Sequence, residues 1–233
     1  MDLRMIDAGG IRLACRVSGD PGGPPVVLLH ALGEDGSDWT AVAEELGRRH
    51  RVFTPDLRGH GRSDRPGQYA FELMRDDLGA LLDALRLERP TLVGHSMGGV
   101  VAYLYAAKHP DRVDRLVLED TPPPFPLDAA APQHPGGEPD FDWDAVTATY
   151  AQLARPPADW LTGLEAITAP TLFVAGGSHS PLPQDQIAEM ARRVADSRLV
   201  TIPCGHRVHA CRPQDFTATL SGFLPGGTPH HYR

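Results

Sequence analysis

The chain has 233 residues, of which 41% are hydrophobic and 22% are charged, and these proportions are ordinary for one globular α/β domain spanning residues 1–233. Its formal net charge of −8 argues against a protein that follows a phosphate backbone, because such proteins need a net positive surface. We therefore expect a small-molecule substrate and no nucleic-acid partner.

The first part of the chain and the cysteines predict a cytoplasmic protein that does not span a membrane. The longest apolar run near the start, residues 26–29, is too short to cross a bilayer. The first ten residues carry Asp2 and Asp7 and lack the basic-then-apolar order of a signal peptide. The three cysteines, an odd number, favour reduced thiols over a disulfide framework; they are Cys15, Cys204 and Cys211.

Short apolar, β-branched runs alternate with longer segments of helical periodicity, a pattern typical of a mostly parallel sheet covered by helices. In residues 11–17 apolar and polar residues alternate, which predicts an antiparallel first strand. Further strands are predicted at 26–30, 52–54, 91–93, 113–118, 171–174 and 199–202. Helices are predicted at 37–48, with Ser37 as N-cap, and at 69–85, 97–108, 184–194 and 213–223.

One segment interrupts this alternation. Residues 121–139 are rich in Pro, Ala, Gly and His, and apolar residues at helical spacing follow at Trp143, Val146, Tyr150 and Leu153. Long insertions in compact domains are often lids, so we predict a short lid at about 121–160, with a disordered surface loop as the alternative for its first half. A flexible tail is predicted at about 225–233.

The clearest functional motif is Gly-His-Ser-Met-Gly at residues 94–98, directly after a predicted strand and before a predicted helix. A serine on a sharp strand-to-helix turn is strained, and small residues two before and two after it relieve crowding. The helix N-terminus also brings N–H groups and partial positive charge to the reacting oxygen. Ser96 is therefore predicted to be a nucleophile; the alternative is a tight turn whose serine only caps the helix.

From about residue 11 to residue 223 the sequence resembles the α/β-hydrolase superfamily, in its esterase, lactonase and haloperoxidase-like branch. The resemblance is carried by the serine motif and by HALG at 30–33, DLRGHGRSD at 56–64 and GH at 205–206. It implies a mostly parallel, eight-stranded sheet flanked by helices. It says much less about the substrate, because this fold hosts many reactions.

The resemblance also implies that His206, in a Gly-His pair after the last strand, is the catalytic base. Its role would be to take the proton of Ser96 and pass it to the leaving group. A rival, His209, is expected to pack near the last helix. The tight Cys/His spacing at residues 204–211 suggests a metal site only weakly, because a second pair of ligands is missing.

The acid of the triad is less clear. Family members usually carry it after the next-to-last strand, but residues 176–180 read GGSHS and contain no carboxylate. A known variant of the family places the acid one strand earlier, where Asp120 follows the run 113–118. We therefore expect Asp120 to orient His206, with Glu119 and Asp185 as alternatives; an Asp120 that only ends the strand is also considered.

The oxyanion hole is expected to use the backbone N–H groups of Met97, from the serine turn, and Leu32, carried over from the family. Ala31 replaces the usual glycine, which is compatible only with backbone angles that are not restricted to glycine. His30 is interpreted as a structural hydrogen-bonding residue. Arg58 and Asp64 are interpreted as a pair that fixes a loop.

These residues predict a cofactor-free, metal-free serine hydrolase that cleaves a carboxylic ester, thioester or lactone through an acyl-enzyme. The expected pocket wall is mostly apolar and comprises Leu32, Met97, Pro122, Phe125, Trp143, His179 and Val208. The alternatives are a C–C bond hydrolase, an acyltransferase or cyclase of a biosynthetic pathway, and a non-catalytic binding protein. Composition and motifs do not indicate an oligomeric state.

Overall fold

A computed structural model describes residues 2–224 and contains one eight-stranded sheet. In chain order the strands are β1 Asp2–Asp7, β2 Arg12–Gly19, β3 Pro25–Leu29, β4 Arg51–Pro55, β5 Thr91–His95, β6 Leu116–Glu119, β7 Thr171–Ala175 and β8 Ser197–Thr201. Their order across the sheet is β1-β2-β4-β3-β5-β6-β7-β8. β2 is antiparallel to β1 and to β4, and all other pairs are parallel. The fold is that of an α/β-hydrolase, as the resemblance implied.

The helices are α1 Thr40–Leu46, α2 Phe71–Ala84, α3 Met97–Lys108, α4 Trp143–Ala154, α5 Ala158–Gly163, α6 Gln184–Arg193, α7 Val208–Cys211 and α8 Pro213–Phe223. All five predicted helices are confirmed, with bounds that differ by a few residues. The predicted cap Ser37 is wrong. A 3₁₀ turn at Gly36–Trp39 precedes α1, and the side chain of Asp35 caps it by accepting the N–H of Ser37 at 2.6 Å.

All seven predicted strands are present, while β1 was not predicted. Its side chains are mostly exposed because it lies at the sheet edge, so its sequence lacks a buried apolar face. The central strands are buried on both faces. In β3, Val27 and Leu29 enter one hydrophobic core and Val26 and Leu28 enter the other, and all four are fully buried. This explains why β3 reads as a continuous apolar run.

The insertion between β6 and β7 has two parts. Residues 121–142 form no helix, and α4 and α5 follow them. Three hydrogen bonds attach these helices to α2. The Phe71 N–H donates to Gln152 Oε1 at 2.8 Å, Gln152 Nε2 donates to Glu72 Oε2 at 2.8 Å, and Trp160 Nε1 donates to Glu72 Oε1 at 2.9 Å. The insertion is thus tied to the body of the domain. The predicted tail at 225–233 lies outside the described residues.

The expected pairing of Arg58 with Asp64 is wrong. Arg58 forms a buried ion pair with Asp77 on α2, and Asp64 pairs with Arg12 on β2 at 3.0 Å. Both residues do fix the loop, but each fixes it to a different element. Among residues 2–224, no helix is both long and apolar enough to cross a membrane.

Candidate active site

The loops that follow β3, β5, β6 and β8 meet at the carboxyl edge of the parallel strands, and they carry all of the predicted catalytic residues. In open α/β sheets this edge is where ligands bind. Leu32 follows β3, Ser96 follows β5, Asp120 follows β6 and His206 follows β8. The strand order therefore brings together residues that are up to 174 positions apart in the chain.

Ser96 occupies the strained turn that the motif predicted. Its backbone has φ 50° and ψ −115°, a combination that residues other than glycine rarely adopt. Its N–H donates to the Glu119 carbonyl at 3.0 Å, and its carbonyl accepts the N–H of Val100 at 3.1 Å in the first turn of α3. Ser96 is thus held between β6 and a helix N-terminus.

The two flanking glycines leave no room for a side chain. A Cβ on Gly94 would lie 2.6 Å from the backbone carbon of Gly98, and a Cβ on Gly98 would lie 2.6 Å from that of Leu29. Real Cβ atoms essentially never approach backbone so closely. The close approach of α3 to β5 and β3 therefore depends on glycine at both positions.

His206 and Asp120 lie within hydrogen-bonding distance, with His206 Nδ1 2.7 Å from Asp120 Oδ2. His206 is partly exposed, with 29% of its side chain accessible, whereas Asp120 is fully buried. Asp120 also has a positive φ of 36°. Of the three candidate acids, Asp120 is the one that the structure places against His206.

Asp120 is surrounded by donors. Its Oδ1 accepts the Gly176 N–H at 2.9 Å and Gln184 Nε2 at 3.3 Å, and its Oδ2 also accepts the Ser180 hydroxyl. Burial alone would raise the pKa of Asp120, but the hydrogen bonds from His206, Ser180 and Gly176 outweigh it and lower the pKa. The turn after β7, which has no carboxylate of its own, supplies donors that keep Asp120 ionised.

The other two candidate acids lie elsewhere. Glu119 is fully buried and binds His209, with Oε2 2.8 Å from Nδ1. Asp185 is exposed on α6. His209 packs against Phe216 of α8 with 6.1 Å between ring centroids, which confirms the expectation that it lies near the last helix.

The Cys/His spacing at residues 204–211 does not gather its members around one point, because His206 and His209 bind different carboxylates. Within the described part of the chain, the set whose potential metal-ligand atoms lie within 4.8 Å of one another is Asp38, His95 and His209. Both ring nitrogens of His209 already contact carboxylate oxygens.

The two expected oxyanion donors, Leu32 and Met97, both line the cavity that contains Ser96. Among residues 2–224, neither amide N–H donates a hydrogen bond to another backbone group. Ala31 does not have a positive φ, so its Cβ is compatible with this turn and the glycine usual in the family is not required. The geometry is therefore compatible with two donors aimed at a carbonyl oxygen.

Two buried histidines support the site without acting as bases. His30 Nδ1 donates to the Ala31 carbonyl at 2.7 Å, while its Nε2 accepts the Leu57 N–H at 2.9 Å, as expected for a structural residue. Burial lowers the pKa of His30 to about 4. Burial likewise lowers the pKa of His95 to about 4, and its Nε2 donates to the His206 carbonyl at 2.8 Å. Both are neutral at pH 7.

Ser96 and His206 open on a cavity of about 450 Å³. Four of the predicted wall residues line it: Leu32, Met97, Pro122 and Trp143. The other three do not. Val208 is fully buried in the core, His179 is exposed, and Phe125 is absent from the lining. These positions lie in the segments between β6 and α4, β7 and α6, and β8 and α8, where the sequence does not show the direction of a side chain.

Sequence reasoning missed much of the wall. Four of the missed residues lie on α4: Val146, Thr149, Tyr150 and Leu153. All of these except Thr149 belong to the helical spacing that the sequence showed. One face of α4 therefore forms the roof of the cavity, and its periodicity was the available signal. At the rim, Arg207 pairs with Glu34 at 3.3 Å.

A family model described as the alpha/beta hydrolase fold matches residues 24–141, and the chain belongs to this family. Among solved structures, an esterase from Thermogutta terrifontis is 28% identical with a TM-score of 0.82, and the match covers 96% of this chain and 98% of the esterase. An sn-1-specific diacylglycerol lipase of Mus musculus is 29% identical, covering 89% of this chain and 83% of the lipase.

An uncharacterised protein of Mycobacterium tuberculosis is 42% identical over 110 residues, which are 47% of this chain and 32% of that protein. The chain thus spans about a third of the length of this relative. The motifs at residues 30–33, 56–64 and 94–98 all lie inside the family match. His206 lies outside it, so its assignment depends on the geometry described above.

Proposed function

We propose that the protein is a serine hydrolase that cleaves a carboxylic ester, thioester or lactone through an acyl-enzyme intermediate. The observation that carries the proposal is the arrangement at one cavity: Ser96 on its strained turn and His206, held by buried Asp120, line the same wall. The similarity to the Thermogutta terrifontis esterase and to the Mus musculus lipase supports a carboxylic ester as the substrate class.

In the first half of the reaction, Ser96 Oγ attacks the substrate carbonyl carbon while its proton passes to Nε2 of His206. The carbonyl electron pair moves onto oxygen, where the N–H groups of Leu32 and Met97 stabilise the negative charge. When the tetrahedral intermediate collapses, the bond to the leaving group breaks. The leaving group takes the proton from His206, and the acyl group stays on Ser96.

In the second half, water attacks the acyl carbon and gives its proton to His206. Collapse breaks the bond to Ser96 Oγ, which recovers that proton, and the carboxylic acid is released. Asp120 stabilises the imidazolium that forms in each half, because its own ionised state is kept by four donors. No cofactor is needed for this chemistry.

The cavity wall supports an apolar acyl group of small to medium size. Leu32, Val146 and Leu153 are apolar and Trp143 adds an aromatic face. Two of the charged lining residues, Glu34 and Arg207, pair with each other at the rim. Apolar pockets favour substrates by the surface they remove from water. A series of p-nitrophenyl esters of increasing acyl length measures this preference, and activity that rises with acid-side polarity contradicts it.

Labelling with a fluorophosphonate probe tests the nucleophile. We expect the wild type and the exposed-surface control Ser178→Ala to be labelled and to hydrolyse short p-nitrophenyl esters, and Ser96→Ala to do neither. Circular dichroism checks that each variant is folded. Absence of labelling in the folded wild type would reject an activated Ser96 and would favour a non-catalytic binding protein.

A further inference from the structure

A second histidine, three residues after His206, is held by carboxylates on both sides. His209, in α7, is 2% exposed. Its Nδ1 lies 2.8 Å from Glu119 Oε2, and its Nε2 lies 3.0 Å from Asp38 Oδ2. A histidine whose two ring nitrogens both face carboxylates donates from both, and only the imidazolium form can do so.

The charge of His209 follows from these contacts. Burial alone would lower its pKa, but the hydrogen bonds and negative charges of Asp38 and Glu119 outweigh burial and raise the pKa to about 9. Asp38 also accepts a hydrogen bond from Arg207, which adds a second positive charge. Each of the two buried carboxylates, Asp38 and Glu119, therefore has a cationic partner, which offsets the cost of burying its charge.

The cluster attaches the segment 206–209, which carries both histidines, to two other parts of the active site. Glu119, the residue before Asp120, accepts the His209 backbone N–H at 2.8 Å as well as its ring. Asp38 belongs to the turn that follows β3, and its neighbour Trp39 stacks on the His209 ring with 4.2 Å between centroids. The segment is therefore fixed both at the end of β6 and at the turn before α1.

Two adjacent carboxylates thus hold two histidines that are three residues apart in the chain. Asp120 binds His206 and Glu119 binds His209, so the distance and orientation of one pair constrain the other. We infer that Asp38, Glu119 and His209 form a positioning cluster that sets the orientation of His206 toward Ser96. This inference rests on the proposed hydrolase function, and none of the three residues lines the cavity wall that contains Ser96.

A metal site is the main rival for these atoms, because Asp38, His95 and His209 lie close together and His95 Nδ1 is buried without a hydrogen-bond partner among residues 2–224. A cation there would displace the hydrogen bond between His209 Nε2 and Asp38, and it would be repelled by Arg207. The positive charge is already supplied by two side chains. The contacts therefore favour an imidazolium over a bound cation.

The inference is tested by comparing His209→Gln with His50→Gln, a matched control at another buried histidine, whose ring hydrogen-bonds within residues 2–224 only to a backbone carbonyl. We expect His209→Gln to lower kcat for a p-nitrophenyl ester by roughly tenfold to a hundredfold, since small misplacements of catalytic groups have such effects. KM should change less than about twofold, and fluorophosphonate labelling should slow in parallel. His50→Gln should leave all three unchanged.

A conservative variant separates geometry from simple stability. Asp38→Asn keeps an oxygen acceptor for His209 Nε2 and should retain most of the activity, whereas Asp38→Ala should lose kcat as His209→Gln does. A fall in melting temperature with unchanged kcat in both His209→Gln and Asp38→Ala would mean that the cluster only stabilises the fold. If His209→Gln does not fold, the neutral double variant Glu119→Gln, His209→Gln replaces it.

Nuclear magnetic resonance keeps the test independent of turnover. In the wild type we expect His209 to carry protons on both nitrogens at pH 7.5, and His206 to show a hydrogen-bonded Nδ1 proton. That His206 signal should broaden or disappear in His209→Gln. A neutral or metal-bound His209, or an unchanged His206 signal, overturns the inference. An unlabelled and inactive wild type with these signals intact rejects the proposed hydrolase and leaves the positioning of His206 standing.

Discussion

His206 Nδ1 lies 2.7 Å from Asp120 Oδ2, although 86 positions separate the two residues in the chain. Because β6 and β8 both flank β7, the loops after them meet across the end of that strand. Asp120 reaches His206 from a left-handed backbone position, and the turn after β7 surrounds its carboxylate with donors. The pair therefore depends on three consecutive strands of the sheet.

Replacing the acid should stop turnover while leaving the fold intact. Asp120→Asn removes the negative charge that stabilises the His206 imidazolium. It also places an amide NH₂ group, which is itself a donor, among groups that donate hydrogen bonds to the carboxylate. We expect kcat for ester hydrolysis to fall roughly 10³- to 10⁴-fold. Steady-state kinetics and circular dichroism measure the two effects. Asp185→Asn, an exposed change on α6, is the control, and near-normal activity of Asp120→Asn would refute the role of Asp120.

A single methyl group at the serine turn should destabilise the protein. In Gly98→Ala the new Cβ would lie 2.6 Å from the backbone carbon of Leu29, so α3 must move away from β3. Overpacking of this kind costs about 1–3 kcal/mol. Thermal unfolding measures it, with Gly22→Ala as control because its Cβ would meet only an aspartate oxygen at 3.6 Å. Equal melting temperatures for the two variants would contradict the close approach.

The ionised His209 makes stability depend on pH. Its pKa is raised from 6.5 to about 9 in the folded protein, because the hydrogen bonds and charges of Asp38 and Glu119 outweigh burial. The contribution is therefore fully present below pH 6.5 and is lost as pH rises through 9. Urea unfolding of the wild type between pH 6.5 and 9.5 should show a falling free energy of unfolding. His209→Gln should show a flatter profile, and parallel profiles would count against a charged His209.

Asp38 also makes stability depend on pH, but its contribution is lost as pH falls, not as pH rises. Burial opposes its ionisation, but the hydrogen bond and charge of His209 and the charge of Arg207 lower its pKa from 3.8 to about 2. Its contribution is present above pH 3.8 and is lost as pH falls through 2. Acid unfolding followed by fluorescence should therefore begin at higher pH in His209→Gln, where that stabilising partner is missing. An unchanged acid midpoint would contradict this linkage.

The roof of the cavity should set the preferred acyl length. Trp143 lines the cavity and stacks on Phe141 with 5.9 Å between centroids. Trp143→Ala removes apolar contact area, so KM for long-chain p-nitrophenyl esters should rise while the acetate ester changes little. Asp144→Ala, an exposed change on the same helix, is the control. An equal effect on all acyl lengths would place the acyl chain elsewhere.

Local patterns in the sequence determined most of the fold and the position of Ser96, the proposed nucleophile. Buried strands show as apolar runs, and the Gly-His-Ser-Met-Gly motif lies between a strand and a helix, because the strain of that turn is a local property of the backbone. Strand β1 was not predicted, because an exposed edge strand needs no continuous apolar face. The helical spacing of α4 was also visible in the sequence, but its position as the roof of the cavity was not.

Tertiary structure alone decided the partners of the polar side chains that pair over long distances in the chain. Asp120 and Glu119 are neighbours in sequence, yet one binds His206 and the other His209. Arg58 pairs with Asp77 on α2, not with nearby Asp64. Such pairings depend on strand order, on helix placement and on the direction in which each side chain leaves its loop. Residues far apart in the chain set all three, so no local pattern contains them.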